Sequence, residues 1–145
     1  MSSDQDYAPS PTGWVRNAVA KIEAAGDTKA GQWGPLGVVL LTMRGAKTGK
    51  LRKVPLMRVE HEGKYLAVGS DGGAAKHPVW YYNLLADPKI TLQDRTESRP
   101  MIARELTGDE RAEWWERAIE VFPNYREYQR KTDRLIPVFL LEPVQ

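Results

Sequence analysis

Short apolar or alternating runs, each followed within a few positions by a turn signal, constrain this chain more than any other feature. Val38–Met43, Arg52–Glu60 and Lys64–Ser70 succeed one another, and Glu62-Gly63 marks the turn between the last two. Lys89–Asp94 and Arg99–Leu106 make a second pair around Thr96–Ser98, and the apolar run Ile136–Leu141 lies close to the carboxy terminus. β-branched content with period-two alternation fits a pleated surface. Hairpins spaced this way favour a β-barrel or roll with peripheral helices over a doubly wound sheet.

Helical periodicity interrupts the strands. Trp14, Val15, Ala18, Val19, Ile22 and Ala25 recur at helical spacing between the start signals Ser10-Pro11 and the stop signal Gly26. Gly31–Gly37, with Trp33 and Pro35, reads as a loop. Pro78 opens a short helix through Leu85 that Asp87 and Pro88 end. Thr107 and Glu110 have capping-box spacing, and Ala112, Trp115, Ala118, Ile119 and Phe122 are the predicted buried stripe of a helix that Pro123 interrupts. A further helical piece carries Tyr125 and Tyr128. The expected class is α+β, mainly antiparallel β.

A length of 145 residues suggests one domain. Residues 1–11 are expected to be a flexible tail and 12–145 the domain. Met1–Pro11 lacks a signal-peptide pattern, no apolar run approaches the roughly 18 residues of a membrane span, and the absence of cysteine fits a reducing compartment. A soluble, cytoplasmic protein is the expectation. The amphipathic first helix leaves room for peripheral contact with a membrane surface, although core packing is the commoner role for such a stripe.

The formal charge is only +2, so local clustering matters more than the total. No acidic residue lies between Asp27 and Glu60, yet Arg44, Lys47, Lys50, Arg52, Lys53 and Arg58 fall within fifteen residues around Arg44-Gly45-Ala46-Lys47-Thr48-Gly49-Lys50. That segment is suited to holding an anion. It is not a Walker loop, because three residues separate Gly45 from Gly49 and Leu51 follows Lys50 where a hydroxyl would bind magnesium. Nor does any strand lead into a Gly-x-Gly-x-x-Gly turn. The two histidines, His61 and His77, have no metal-ligand spacing, and no metal site is expected.

A second informative stretch runs from Gly69 through Ser70-Asp71-Gly72-Gly73 to Lys76-His77-Pro78-Val79-Trp80. Glycines at a strand end let backbone N–H groups approach a ligand, and the helix beginning just afterwards turns its positive end towards anions. Each element alone also fits an ordinary turn, and together they reinforce one another.

The Lys47-Thr48-Gly49 turn with Arg52, the Pro55-Leu56 strand, the Gly69–Gly73 loop, the Lys76–Trp80 helix start and the Tyr125, Tyr128, Asp133-Arg134 ending resemble the deazaflavin-dependent nitroreductase family of actinobacteria. The resemblance covers roughly residues 12–143 and rests on the order and spacing of the motifs. It implies a split β-barrel related to the flavin mononucleotide-binding oxidoreductases, holding coenzyme F-420, with flavin mononucleotide as the lesser alternative. It further implies that Ala46, Lys47, Thr48, Arg52 and Lys53 meet the phosphate and carboxylates of the coenzyme tail. Val54, Pro55, Leu56, Met57, Val68, Gly69, Ser70, Asp71, Val79, Trp80, Asn83 and Tyr125 would enclose its ring end. Ser70, Tyr125 and Tyr128 are the candidate proton donors or orienting hydroxyls for a small-molecule hydride acceptor.

Met57 and Phe122 stand where nitroimidazole-reducing relatives tend to have tyrosine, and Asp71 replaces a basic residue in the glycine loop. Fewer hydroxyl donors favour an enone, unsaturated lactone or quinone over a nitro compound. Two other readings compete: a non-catalytic deazaflavin carrier, and a basic barrel binding single-stranded nucleic acid with Trp80, Tyr81 or Tyr82 as stacking platforms. The near balance of charge weighs against nucleic acid. A monomer or weak homodimer is expected.

Overall fold

The computed structural model describes residues 7–32 and 35–144. Residues 1–6 of the expected tail, and Trp33 and Gly34 of the expected loop, lie outside the described residues. The strands are β1 (Val38–Arg44), β2 (Leu51–Met57), β3 (Glu60–His61), β4 (Lys64–Val68), β5 (Lys89–Asp94), β6 (Glu97–Glu105) and β7 (Val138–Pro143). The helices are α1 (Gly13–Ala25), α2 (Val79–Ala86), α3 (Gly108–Val121) and α4 (Asn124–Arg130), with single 3-10 turns at Thr28–Gly31 and Asp71–Gly73. The strands form one sheet in the order β2-β1-β5-β6-β7-β4-β3, and the named strands pair antiparallel throughout. The sheet curls until β2 and β4 meet. This is a split β-barrel with peripheral helices, the architecture anticipated from the hairpin spacing and the family resemblance.

Period-two alternation lets each strand serve two cores. From β1, Val39, Leu41 and Met43 join Leu92, Met101, Phe139 and Trp80 inside the curl, whereas Leu40 packs with Val15, Val19 and Ile22 of α1. From β4 and β7, Leu66, Val68, Val138 and Leu140 meet Trp114, Ala118, Ile119 and Tyr125 of the α3–α4 layer, while Ala67 and Leu141 face inward. Ile22 is fully buried, and truncating such a side chain to alanine costs about 2 to 5 kcal/mol.

Helix ends follow local chemistry. Gly26 stops α1 with φ 67° and an N–H bond of 2.8 Å to the Ile22 carbonyl, a left-handed cap that glycine adopts without steric cost. Phe122 leaves the helical region because Pro123 follows it, and α3 ends there. The expected capping box does not form: the Thr107 side chain caps nothing, and Glu110 pairs with Arg104 at 2.8 and 3.0 Å. The stripe of α3 is also rotated from expectation. Trp114 is buried, Trp115 is half-buried with the Arg111 guanidinium 5.1 Å from its ring centre, and Ala112 is exposed. Trp114 and Trp115 each lie one turn before an anchoring residue, Ala118 and Ile119, so spacing alone does not choose between them.

Residues 7–9, within the segment expected to be a flexible tail, run along β2. Tyr7 bridges Leu51, the Ala8 N–H donates to the Leu51 carbonyl at 2.9 Å, and Arg52 Nη1 donates to the Ala8 and Pro9 carbonyls at 3.1 and 3.3 Å. That pairing sets the first turn of α1 beside β2. No helix among the described residues is long and apolar enough to cross a membrane.

Candidate active site

A cavity of about 850 Å³ opens between β2, the end of β4, the start of α2, α4 and the first turn of α1. Small-molecule sites span about 300 to 1,000 Å³, so the space suits a cofactor with a second ligand's reacting end. Val54, Pro55, Leu56 and Met57 of β2 form one wall, with Met43 and Val68 behind them. Pro78, Val79, Trp80 and Asn83 come from α2 and its approach, and Phe122, Tyr125 and Tyr128 from the far side. Ser10–Thr12, Trp14 and Val15 complete the mouth. Trp14, expected in the buried stripe of the first helix, is instead 54% exposed at this mouth.

The cationic hairpin divides into two parts. Arg52 and Lys53 line the cavity, whereas Ala46, Lys47 and Thr48 sit in the turn beyond it. The turn is closed by Gly45 N–H to the Lys50 carbonyl and Gly49 N–H to the Gly45 carbonyl, at 2.8 and 2.9 Å, with Gly49 at φ 71°. It is tied to α2 by the Ala46 N–H, which donates to Asn83 Oδ1 at 2.9 Å. Neither rim cation is free of the protein. Lys53 Nζ pairs with Glu23 and stands 5.0 Å from the centre of the Tyr7 ring, while Arg52 spends Nη1 on the amino-terminal carbonyls and keeps Nε and Nη2 for other acceptors.

The glycine loop is shaped by close packing. Gly69 donates its N–H to the Pro137 carbonyl at 2.8 Å, and a Cβ there would stand 2.8 Å from the Pro137 ring. Gly73 has φ 82°, and its Cβ would stand 2.8 Å from the Tyr128 carbonyl oxygen, so no side chain fits without shifting backbone. Ser70, Asp71 and Gly72 line the cavity, while Gly69 supports them from behind. Asp71 takes φ 44°, an unusual conformation for a non-glycine residue.

Two buried hydroxyls are left for a ligand. Ser70 and Tyr125 are both buried, and their side-chain oxygens bond to nothing in the protein. Among the described residues no buried side-chain nitrogen or oxygen lacks a partner, so both oxygens reach solvent, and both residues line the cavity. Burial, with a smaller push from Tyr128, raises the Tyr125 phenol well above its usual range. A phenol so held donates a hydrogen bond without readily surrendering the proton. Phe122 packs edge-on against the Tyr125 ring at 5.0 Å and fixes it. Tyr128 is half-buried on the same wall, 6.3 Å from Tyr125 between ring centres.

Of the residues named from sequence, the fold brings together those of β2, the glycine loop, α2 and α4. Sequence reasoning missed the contribution of Ser10–Val15 and of Met43. The first depends on backbone carbonyls gripping Arg52, which leave no side-chain signature; the second is an ordinary apolar strand residue.

The chain is similar to several known proteins. A model of the F420H(2)-dependent quinone reductase family matches residues 14–143. A Mycobacterium tuberculosis protein provisionally named an F420H(2)-dependent quinone reductase is 34% identical over 109 residues, covering 75% of this chain and 92% of its own. A solved F420-H2 dependent reductase is 57% identical with a TM-score of 0.69, over 72% of this chain and 93% of that one. A solved domain-swapped dimer is 51% identical with a TM-score of 0.73, over 92% of this chain and all of that one.

Proposed function

Because the chain belongs to the F420H(2)-dependent quinone reductase family, and is thereby a deazaflavin-dependent reductase whose cofactor is coenzyme F-420, we propose that its acceptor is a conjugated carbonyl compound. Quinones, enones and unsaturated lactones form that class. The residues present fit the coenzyme. An apolar wall of Val54–Met57 with Trp80 suits a planar ring system, and Arg52 at the mouth offers two unspent donor nitrogens to the phosphate of a tail. When bound, the deazaflavin supplies a hydride and avoids one-electron chemistry with oxygen.

The observation that carries the proposal is the pair of buried, unpartnered hydroxyls facing the apolar wall of β2. Hydride addition to a conjugated carbonyl leaves negative charge on its oxygen, and Ser70 and Tyr125 can donate to that oxygen as the charge develops. Tyr125, held protonated by burial, orients and stabilises alongside Ser70; the proton that completes the reduction then comes from water at the mouth. Apolar Met57 and Phe122 offer no further donors, which disfavours a nitro group with its two developing anionic oxygens.

Magnitudes support the division of labour between rim and wall. Charge-assisted hydrogen bonds contribute about 1.5 to 3 kcal/mol each, whereas micromolar affinity needs about 8 kcal/mol, so ring burial must supply much of the remainder. The test is oxidation of the reduced coenzyme with a soluble naphthoquinone, a cyclic enone and a nitroimidazole in parallel. Turnover of the first two above the third is expected, and the reverse order would refute the acceptor class. The 51%-identical domain-swapped relative supports a homodimer, which light scattering would detect.

A further inference from the structure

Arg134 lies in the connection between α4 and β7, and its guanidinium is spent on one small region. Nε donates to the Ala74 carbonyl at 2.8 Å, Nη2 to the Ser70 carbonyl at 2.8 Å, and Nη1 to the Gly69 carbonyl at 3.1 Å. Nη1 also lies 3.0 Å from His77 Nδ1, which accepts because a guanidinium has no lone pair to offer. The His77 ring stacks 4.3 Å from Tyr81, so the same side chain joins the glycine loop to α2. Its own segment is fixed by Gln129, which donates to the Arg134 carbonyl at 2.8 Å and accepts from the Ile136 N–H at 2.9 Å. No carboxylate among the described residues stands within ion-pair distance of Arg134. Its charge is therefore spread over neutral carbonyls directly behind the cavity wall.

In a trans peptide the carbonyl and the following N–H point in opposite directions. Drawing the Gly69 and Ser70 carbonyls towards Arg134 turns the N–H groups of Ser70 and Asp71 away from it, on two residues that line the cavity. We propose that Arg134 is the positioning residue of this site, its planar fork setting the Gly69–Ala74 loop so that the Ser70 hydroxyl and the Ser70 and Asp71 amides face the coenzyme's ring end. The proposal rests on the reading of this cavity as the coenzyme site. A lysine cannot replace the fork, because the three donors of one ammonium nitrogen cannot reach three carbonyls and an imidazole arrayed around the rim of a planar guanidinium.

The test uses the full chain with Arg134→Lys, which keeps charge and stem. Without ligand, amide exchange in peptides covering residues 69–78 is expected to accelerate about tenfold, while β5 and β6 exchange as in the parent. Binding of the deazaflavin nucleoside, which lacks the phosphate tail, is expected to weaken about tenfold, whereas Arg52→Ala weakens only the tail-bearing coenzyme. Unchanged loop exchange, or unchanged nucleoside binding beside a parent that binds it, overturns the proposal. If the parent does not bind the nucleoside, the cavity assignment fails and the exchange comparison still judges Arg134. Should Arg134→Lys not fold, His77→Phe removes one acceptor and is read by the same two measurements, with faster exchange expected and no change overturning the proposal.

Discussion

The side-chain carbonyl of Asn83 accepts the backbone N–H of Ala46 at 2.9 Å, so a buried residue of α2 holds the turn of the cationic hairpin. The bond joins the polar rim to the apolar wall. Asn83→Leu removes the acceptor and leaves the exposed Ala46 N–H to water, a loss of about 0.5 to 1.5 kcal/mol. Weaker coenzyme binding by fluorescence titration is expected, with faster amide exchange at residues 45–49.

Arg52 and Lys47 should separate. Lys47 stands outside the cavity and Arg52 lines it, so Arg52→Ala is expected to weaken coenzyme binding about tenfold and Lys47→Ala far less. Equal losses in parallel titrations would place the tail along the turn.

Glu23 pairs with Lys53 and is expected to compete with the coenzyme for it. Glu23 is about half exposed and Lys53 is not, so neutralising Glu23 releases a shielded cation at modest cost to stability. Glu23→Gln is expected to tighten binding of the anionic coenzyme about two- to fivefold at low salt, with the gain shrinking as salt rises. Titration at two ionic strengths checks both parts.

Tyr125→Phe removes the donor and keeps the ring. Turnover with a quinone or enone should fall roughly tenfold to a hundredfold, the effect of one hydrogen bond to a developing anion, while coenzyme binding stays near that of the parent. Steady-state kinetics with separate titration distinguishes this from a packing defect.

Stability should decline in mild acid through His77. Burial, then the Arg134 charge, lowers its pKa from the ordinary 6.5; Glu105 acts weakly the other way, and Tyr81 and Tyr82 pack on the ring. The unfolded chain then binds more protons than the folded one just below pH 6.5, so stability falls as pH drops through that window and levels off below the folded value. His77→Gln, which cannot titrate, is expected to flatten this part of a melting-temperature profile.

Much of the fold was legible because alternation and turn residues act locally. Glu62-Gly63 both take positive φ in the β3–β4 hairpin, as an Xaa-Gly turn pair permits, and Lys89–Asp94 is a strand with the bounds read from sequence. The choice between Trp114 and Trp115 was not legible, since the α3 stripe is settled by the sheet it meets. Arg134 stood within the quoted carboxy-terminal motif, yet nothing in sequence shows that its partners are carbonyls some sixty residues earlier. Arg52 hides its amino-terminal partners in the same way.

The bridge between Tyr7 and Leu51 has a consequence for handling the protein. β2 ends the sheet, and without residues 7–9 the outer backbone groups at its Leu51 end would be an uncovered edge, open to pairing with another molecule. Trimming residues 7–9 to aid crystallisation would thus release Arg52 from its backbone partners beside the cavity mouth and bare an aggregation-prone border in a single cut.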